Sequence, residues 1–269
     1  MEYEIKPKER LSFGFRELWD SRELFFFFTW RDIRIRYKQT LLGFAWVIIQ
    51  PVMMTLIFTL VLKNTNFDLD VPYPLFVCSG YLLWSIFATG VANAGNSMVT
   101  NANIIKKIYF PRLIIPTSAV LVSLFDFLMT IPLLVAIMIY YKVVPPLENL
   151  WMLPLALFVC TIGTFGPGTL LSALNVKYRD FRYVIPFLVQ FLFFATPVIY
   201  PQNYFHHYWI REILALNPVS GAITLFRGFL VGRHVDPLLC SISCVSAIIF
   251  FLLGMYVFKK TESYFADIA

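Results

Sequence analysis

Apolar positions in this chain come in long unbroken runs, not in the alternating or one-sided patterns that build a soluble core. About 20 helical residues are needed to cross the hydrocarbon layer of a bilayer. Six stretches reach or approach that length: 41–62, 75–97, 113–140, 151–175, 184–200 and 238–258, the fifth being the shortest. Between them lie the polar or proline-rich breaks KNTNFDLDVPYP, TNANIIKKIYFPR, YKVVPPLENL and NVKYRDFRY. The pattern predicts an all-α membrane protein with six transmembrane helices in a single domain over residues 1–269.

Two regions depart from the plain alternation of span and break. Before the first span, residues 1–40 form a charged arm whose end, RDIRIRYK, runs straight into apolar sequence. On a helix, Arg31, Arg34 and Lys38 fall at i, i+3 and i+7, while Leu24, Phe28 and Ile35 gather on another side. That division predicts an amphipathic helix lying in the headgroup layer. After the fifth span, residues 201–237 (PQNYFHHYWIREILALNPVSGAITLFRGFLVGRHVDP) stay aromatic and amphipathic where a plain loop would be polar. Arg211, Glu212, Pro218 and Arg227 interrupt both halves, so the segment is expected to form two short helices that enter the outer leaflet without crossing it. Interrupted backbone at such depth must lie against protein or a wet cavity.

Composition agrees with the runs. Hydrophobic residues make up 59% of the 269 and charged residues only 14%, against about 25% charged in soluble domains. The net charge of +6 does not indicate nucleic acid, because the cations flank apolar spans and do not line a soluble basic face. Cations concentrate on the cytoplasmic side of membrane proteins. With the N-terminus inside, 17 of the 22 Lys and Arg fall inside, leaving Lys63, Lys142, Arg211, Arg227 and Arg233 outside. Both termini are therefore expected in the cytoplasm. The first 20 residues are charged and lack the apolar core of a signal peptide.

Candidate chemistry is sparse. Cys78, Cys160, Cys240 and Cys244 lie in apolar runs without a paired-ligand spacing, so they read as small space-filling side chains and no metal site is expected. The run Gly163-Thr-Phe-Gly-Pro-Gly168 lacks the lysine of a phosphate-binding loop and sits in a span. His206, His207 and His234 all fall in the outer segment, and no nucleophile-base pair accompanies them. Asp126 is the acid well inside a span, where an ionised group costs at least ~2.5 kcal/mol on insertion scales. It must face protein or water, either bonded to Ser or Thr of a neighbouring helix, holding a helix junction, or meeting a polar substrate. Gln50 and Gln190 invite the same alternatives. The first inner loop carries Ile104, Ile105, Ile108, Tyr109 and Phe110 around Lys106 and Lys107, more apolar than a solvated tether, so it reads as a docking surface or an interfacial anchor.

Five motifs in order resemble one family, the membrane-spanning subunits of ABC-2 type transporters that export lipid-linked polysaccharides such as O-antigen, capsule and teichoic acid. They are RDIRIRYKQTLLGFAW with Pro51, IIKKIYFPRLIIP with Asp126 following, NVKYRDFRYVIPFLVQ, TPVIYP and LNPVSGAITLFR. The resemblance implies a homodimer in the bacterial inner membrane with two ATP-binding subunits beneath, which hold ATP and Mg while this chain carries no cofactor and catalyses nothing. It implies that residues 22–38 act as a gate helix and that Asn103 to Phe110 form the helix that couples to the ATPase. It also implies that the segment after Pro201 closes the outer mouth. The cargo would be an undecaprenyl-diphosphate-linked polysaccharide, O-antigen foremost. Arg31, Arg34, Arg36 and Lys38 would receive the diphosphate, since guanidinium forks match phosphate oxygens, although polybasic segments also anchor to anionic lipids without specificity. Other cargoes, a drug or small molecule, or proton-coupled transport, remain open alternatives; the last calls for several intramembrane ionisable groups.

Single cysteines test the topology. In a background without the four native cysteines, an impermeant maleimide added to intact spheroplasts should label positions 68 and 204 and spare 104 and 178. Labelling of 68 or 204 only after the membrane is opened refutes the charge-based orientation.

Overall fold

A computed structural model describes residues 19–38, 43–62, 67, 69–108, 110–232 and 235–262. Among them there are ten α-helices and no strand. They are α1 (Arg22–Lys38), α2 (Ala45–Val61), α3 (Tyr73–Thr100), the single turn α4 (Ala102–Ile105) and α5 (Ile114–Tyr141). Then follow α6 (Met152–Lys177), α7 (Phe181–Ala195), α8 (Tyr208–Ala215), α9 (Pro218–Val231) and α10 (Pro237–Thr261). The start of the arm, Tyr109, Arg233 and His234 lie outside the described residues.

Four helices, α3, α5, α6 and α10, are long and apolar enough to cross a membrane. The expected spans at 41–62 and 184–200 form shorter helices of 17 and 15 residues, about 26 and 22 Å long against a hydrocarbon core of about 30 Å. Their ends have local causes. Gly43 adopts φ +49 just ahead of α2, a left-handed conformation that favours glycine. Pro197 follows α7 closely, and the residue before a proline is pushed out of helical geometry. Thr196 is accordingly extended.

The outer segment does form two helices, α8 and α9, bent by 102° at the Leu216–Asn217 break. Asn217 caps α9, its side chain accepting from Val219 N at 3.1 Å, and Pro218 occupies the first turn, where no backbone donor is missed. Gly232 at φ +76 ends the helix. The bend strands carbonyls at the end of α8, and α10 supplies donors for two of them: Ser243 Oγ to Ala215 O at 2.7 Å and Ser246 Oγ to Leu216 O.

α3 lies at the centre, packed chiefly against α5 and α6 and touched also by α2, α7 and α9. Leu75, Leu82, Leu83, Ile86, Phe87 and Val91 of α3 meet Cys160 of α6 and Ile223 and Phe226 of α9 in the main core. Close approach comes from the glycine run of α6. A Cβ on Gly163 would strike the Pro218 ring of α9, one on Gly168 the Ala94 methyl of α3, and one on Gly166 the Phe250–Phe251 backbone of α10 at 2.5 Å. Gly254 of α10 faces Gly166 in return, with no room for a methyl. Small residues of this kind let helices approach where lipid gives no hydrophobic drive to associate.

Arg227 of α9 secures the end of the bundle at which α3 begins. Its Nη1 donates to Pro197 O at 2.7 Å, and its Nη2 donates to Val198 O at 2.7 Å and Phe76 O at 3.0 Å. The guanidinium lies 3.5 Å from the Phe76 ring centroid, a cation–π contact. Gly80, one turn beyond Phe76, leaves the space; a Cβ there would meet the guanidinium. Tyr73 adds a hydroxyl bond to Ile199 O at 2.9 Å.

Because backbone blocks the missing methyl, Gly254→Ala should destabilise by about 1–3 kcal/mol, the usual cost of overpacking, and lower the unfolding temperature in detergent. Leu252→Ala, on the exposed face of the same helix, should change it little. Equal melting of Gly254→Ala and the parent refutes the tight α6–α10 crossing.

Candidate functional site: the surface helix and its junction

Helix α1 carries Glu23 in its first turn and Arg36 and Lys38 in its last, the arrangement that the helix dipole favours. Its N-terminal half packs by apolar contact. Phe28 is buried with its ring 5.3 Å from Phe110, and Leu24 and Phe25 join the same cluster, which Met255 and Phe258 of α10 complete. Ile35, grouped with Leu24 and Phe28 by helical spacing, does not join this cluster and is 69% exposed. It lines the cation side, because towards its C-terminus α1 turns the Arg36 edge to the bundle.

The four cations divide. Arg31, Arg34 and Lys38 line one cleft of about 360 Å³ with Phe27, Trp30 and Ile35. Arg36 lies five residues from Arg31, about 140° further round the helix, and faces another way. Within the cleft Arg31 is already engaged: it pairs with Asp32 at 2.7 Å, donates to Asn101 Oδ1 at 2.8 Å and lies 4.6 Å from the Phe28 ring centroid. Arg34 and Lys38 are exposed, with Arg34 5.5 Å from the Trp30 ring centroid.

Arg36 meets Asp126 of α5, its Nη1 2.7 Å from Oδ2. The N–H direction misses the oxygen, so this is an ion pair without a hydrogen bond through that atom. The neighbouring Tyr37 hydroxyl donates to Asp126 Oδ1, and the Tyr37 ring stacks on Phe44 at 4.2 Å. Among the described residues the partners of the intramembrane acid are thus Arg36 and Tyr37, not Ser or Thr. The Arg36 side chain is 34% exposed and that of Asp126 10%, so screening weakens the Coulomb attraction from one side. Gln50 lines the same small pocket, about 120 Å³, together with Tyr81, Ser85 and Thr130. Gln190 does not; it is exposed on α7.

The predicted coupling segment divides as well. Ile105 and Phe110 are buried and Ile104 half-buried, while Asn103, Lys106, Lys107 and Ile108 point outward. Its anchor is α1 itself, through Phe28 on Phe110 and Arg31 on Asn101. Sequence reasoning missed Asn101, Tyr37 and Arg227 as organising residues. The NVKYRD motif contributes Asn175, whose Nδ2 donates to Gly95 O at 2.9 Å and Asn96 Oδ1 at 3.0 Å on α3. A buried amide in a span demands such partners, which was the available signal.

The two halves of α1 should respond separately to mutation. In Asp126→Leu the contacts of Arg36 and Tyr37 are lost, at about 1.5 kcal/mol for a partly screened charged partner. Amides at 34–38 should then exchange with deuterium about tenfold faster, while those at 24–30, held by Phe28, keep the parental rate. Unchanged exchange at 34–38 refutes the junction.

Residues 23–231 match the family described as ABC-2 type transporter. An O-antigen export system permease protein RfbA of Klebsiella pneumoniae is 30% identical over 265 residues, 98% of this chain and 99% of that protein. A second from the same species is 30% identical over 239 residues, 88% and 92% of the two chains. One from Myxococcus xanthus is 27% identical over 261 residues, 94% and 97%. With a family match over most of its length and full-length similarity to permeases, this multi-pass helical protein belongs to the ABC-2 type transporter family.

Proposed function

We propose that this chain is the permease subunit of an ATP-driven exporter that moves an undecaprenyl-diphosphate-linked polysaccharide, O-antigen, across the inner membrane. In this reading two copies form the channel, two ATP-binding subunits dock from the cytoplasm, and both termini are cytoplasmic. All six apolar stretches cross. The shorter helices α2 and α7 do so with the help of flanking residues and local bilayer thinning, which accommodates a few ångströms of mismatch at small cost.

The observation that carries the reading is the direct contact between the surface helix and the first inner loop, Phe28 on Phe110 and Arg31 on Asn101. A loop that presents Lys106, Lys107 and Ile108 outward offers a cytoplasmic partner both charge and an apolar residue. Its buried side bears on the helix whose cleft offers Arg34 and Lys38 beside Trp30, Phe27 and Ile35. Cations next to aromatic and aliphatic groups suit an isoprenoid diphosphate, which carries phosphate oxygens and an apolar tail on one molecule. Arg36, engaged with Asp126, is left out of that role. The cargo assignment is supported by the full-length similarity to three O-antigen export permeases.

Deletion of this chain should leave full-length lipid-linked glycan inside the cell and none at its surface, with export restored by the chain together with its ATP-binding subunits. Lys106→Glu with Lys107→Glu should reduce co-purification of those subunits severalfold while the permease stays inserted. Surface glycan at the parental level in the deletion strain refutes the cargo, and unchanged co-purification refutes the docking surface.

A further inference from the structure

The outer end holds a cleft that the transport reading leaves unused. Its volume is about 260 Å³, and it opens between the residues preceding α3, the turn Gln202–Tyr204, α8, α9 and the start of α10. Among the described residues Asp70, Asp236, Arg211 and Arg227 line it, and their formal charges sum to zero.

The arginines are largely committed. Arg227 donates to three main-chain carbonyls, whose dipoles offset its charge. Arg211 donates from Nε to Phe205 O at 2.7 Å and from Nη2 to Asn203 O at 3.2 Å. Asp236 caps α10 through Leu238 N at 3.0 Å and accepts from the Tyr208 hydroxyl at 3.1 Å. Described charges that balance and are mostly engaged give little net attraction to an anion, which argues against phosphate.

Apart from the buried Arg227 Nε, which has no hydrogen-bond partner among the described residues, what is left unengaged is neutral. The Gln202 Oε1 accepts from Thr224 at a long 3.3 Å, while its Nε2 and the whole Asn203 side-chain amide have no partner among the described residues. Carboxamides both donate and accept, which matches a hydroxyl that does the same. Val71, Leu230, Val231 and Leu239 supply the apolar part of the lining. Convergent polar groups on an apolar wall are the make-up of small-molecule sites. The volume falls just below the ~300–1,000 Å³ typical of drug-sized ligands, room for one ring and not for a chain.

We infer that this cleft is a subsite for one neutral pyranose ring, held edge-on by the Gln202 and Asn203 amides with its C–H face on Val231 and Leu239. It rests on the glycan-export reading, in which it would hold a sugar unit emerging on the outer side.

The test is saturation-transfer NMR on the permease with its ATP-binding subunits in nanodiscs, using D-galactose, D-mannose and L-rhamnose as probes and glycerol 3-phosphate as the anionic control. At least one sugar should receive saturation. Val231→Trp, which fills the cleft, should abolish the signal. Gln202→Leu, on an accessible turn, should weaken binding about tenfold, or about 1.4 kcal/mol. Co-purification of the ATP-binding subunits with both variants verifies their fold. Absence of transfer to all three sugars, transfer that persists in Val231→Trp, or displacement by glycerol 3-phosphate overturns the site. If these results come from a chain that does export glycan, the site alone fails; a chain that exports none overturns the reading beneath it.

Discussion

Lipid offers helices no hydrophobic reward for associating, so a helical membrane domain depends on how closely its backbones approach. Here that approach is set by one six-residue run in α6. Gly163, Gly166 and Gly168 each meet a different helix, α9, α10 and α3, so that one face after another of α6 is held at backbone distance. The central position of α3 and the seating of the bent outer pair both follow. Pro167 lies within the same run, and a proline frees a carbonyl one turn earlier. Thr164 and Thr169, buried on either side, direct their hydroxyls to the α6 carbonyls of Cys160 and of Phe165 and Gly166.

The second constraint is that every backbone polar group at membrane depth needs a partner. A 102° bend would violate it without the serines of α10 and the Asn217 cap, and the Asn217 amide also donates to Thr196 Oγ1 at 2.6 Å. Arg227 serves the same constraint after α7, where it donates to the carbonyls of Pro197 and Val198. A guanidinium suits the task because its rigid fork reaches several acceptors at once. The outer segment is therefore polar in its own sequence for a reason internal to the fold: its cation and its amide satisfy irregular backbone.

Much of this was legible from residue patterns. The long runs gave the long helices to within a few residues, and the interrupted segment gave two short helices, because run length and proline position act locally. The lengths at 41–62 and 184–200 were not legible, since Gly43 and Pro197 end helices that the apolar runs by themselves would extend. The glycine run was visible but mute: spacing ruled out a phosphate loop, while its actual contacts depend on which helices lie opposite. The same holds for Asp126. Its position in a span required a partner, yet Arg36 and Tyr37 lie 90 and 89 residues away in sequence, and only the fold brings them together. Of the cation cluster, i, i+3 and i+7 spacing correctly joined Arg31, Arg34 and Lys38, and the same geometry explains why Arg36 stands apart.

That separation gives α1 two kinds of attachment. Its first half rests on Phe110 and Met255 through apolar contact, which is non-directional and tolerates small shifts. Its end is fixed to α5 by the Arg36 ion pair and the Tyr37 hydroxyl bond at Asp126, and the hydroxyl bond weakens steeply with angle and distance. No element intervenes between Phe28 and the loop that carries Lys106 and Lys107. Displacement of that loop thus bears first on the tolerant half of the helix, while the hydroxyl bond at Asp126 resists both translation and tilt of the other end. The cleft lined by Phe27, Arg34 and Lys38 spans the join between these two attachments.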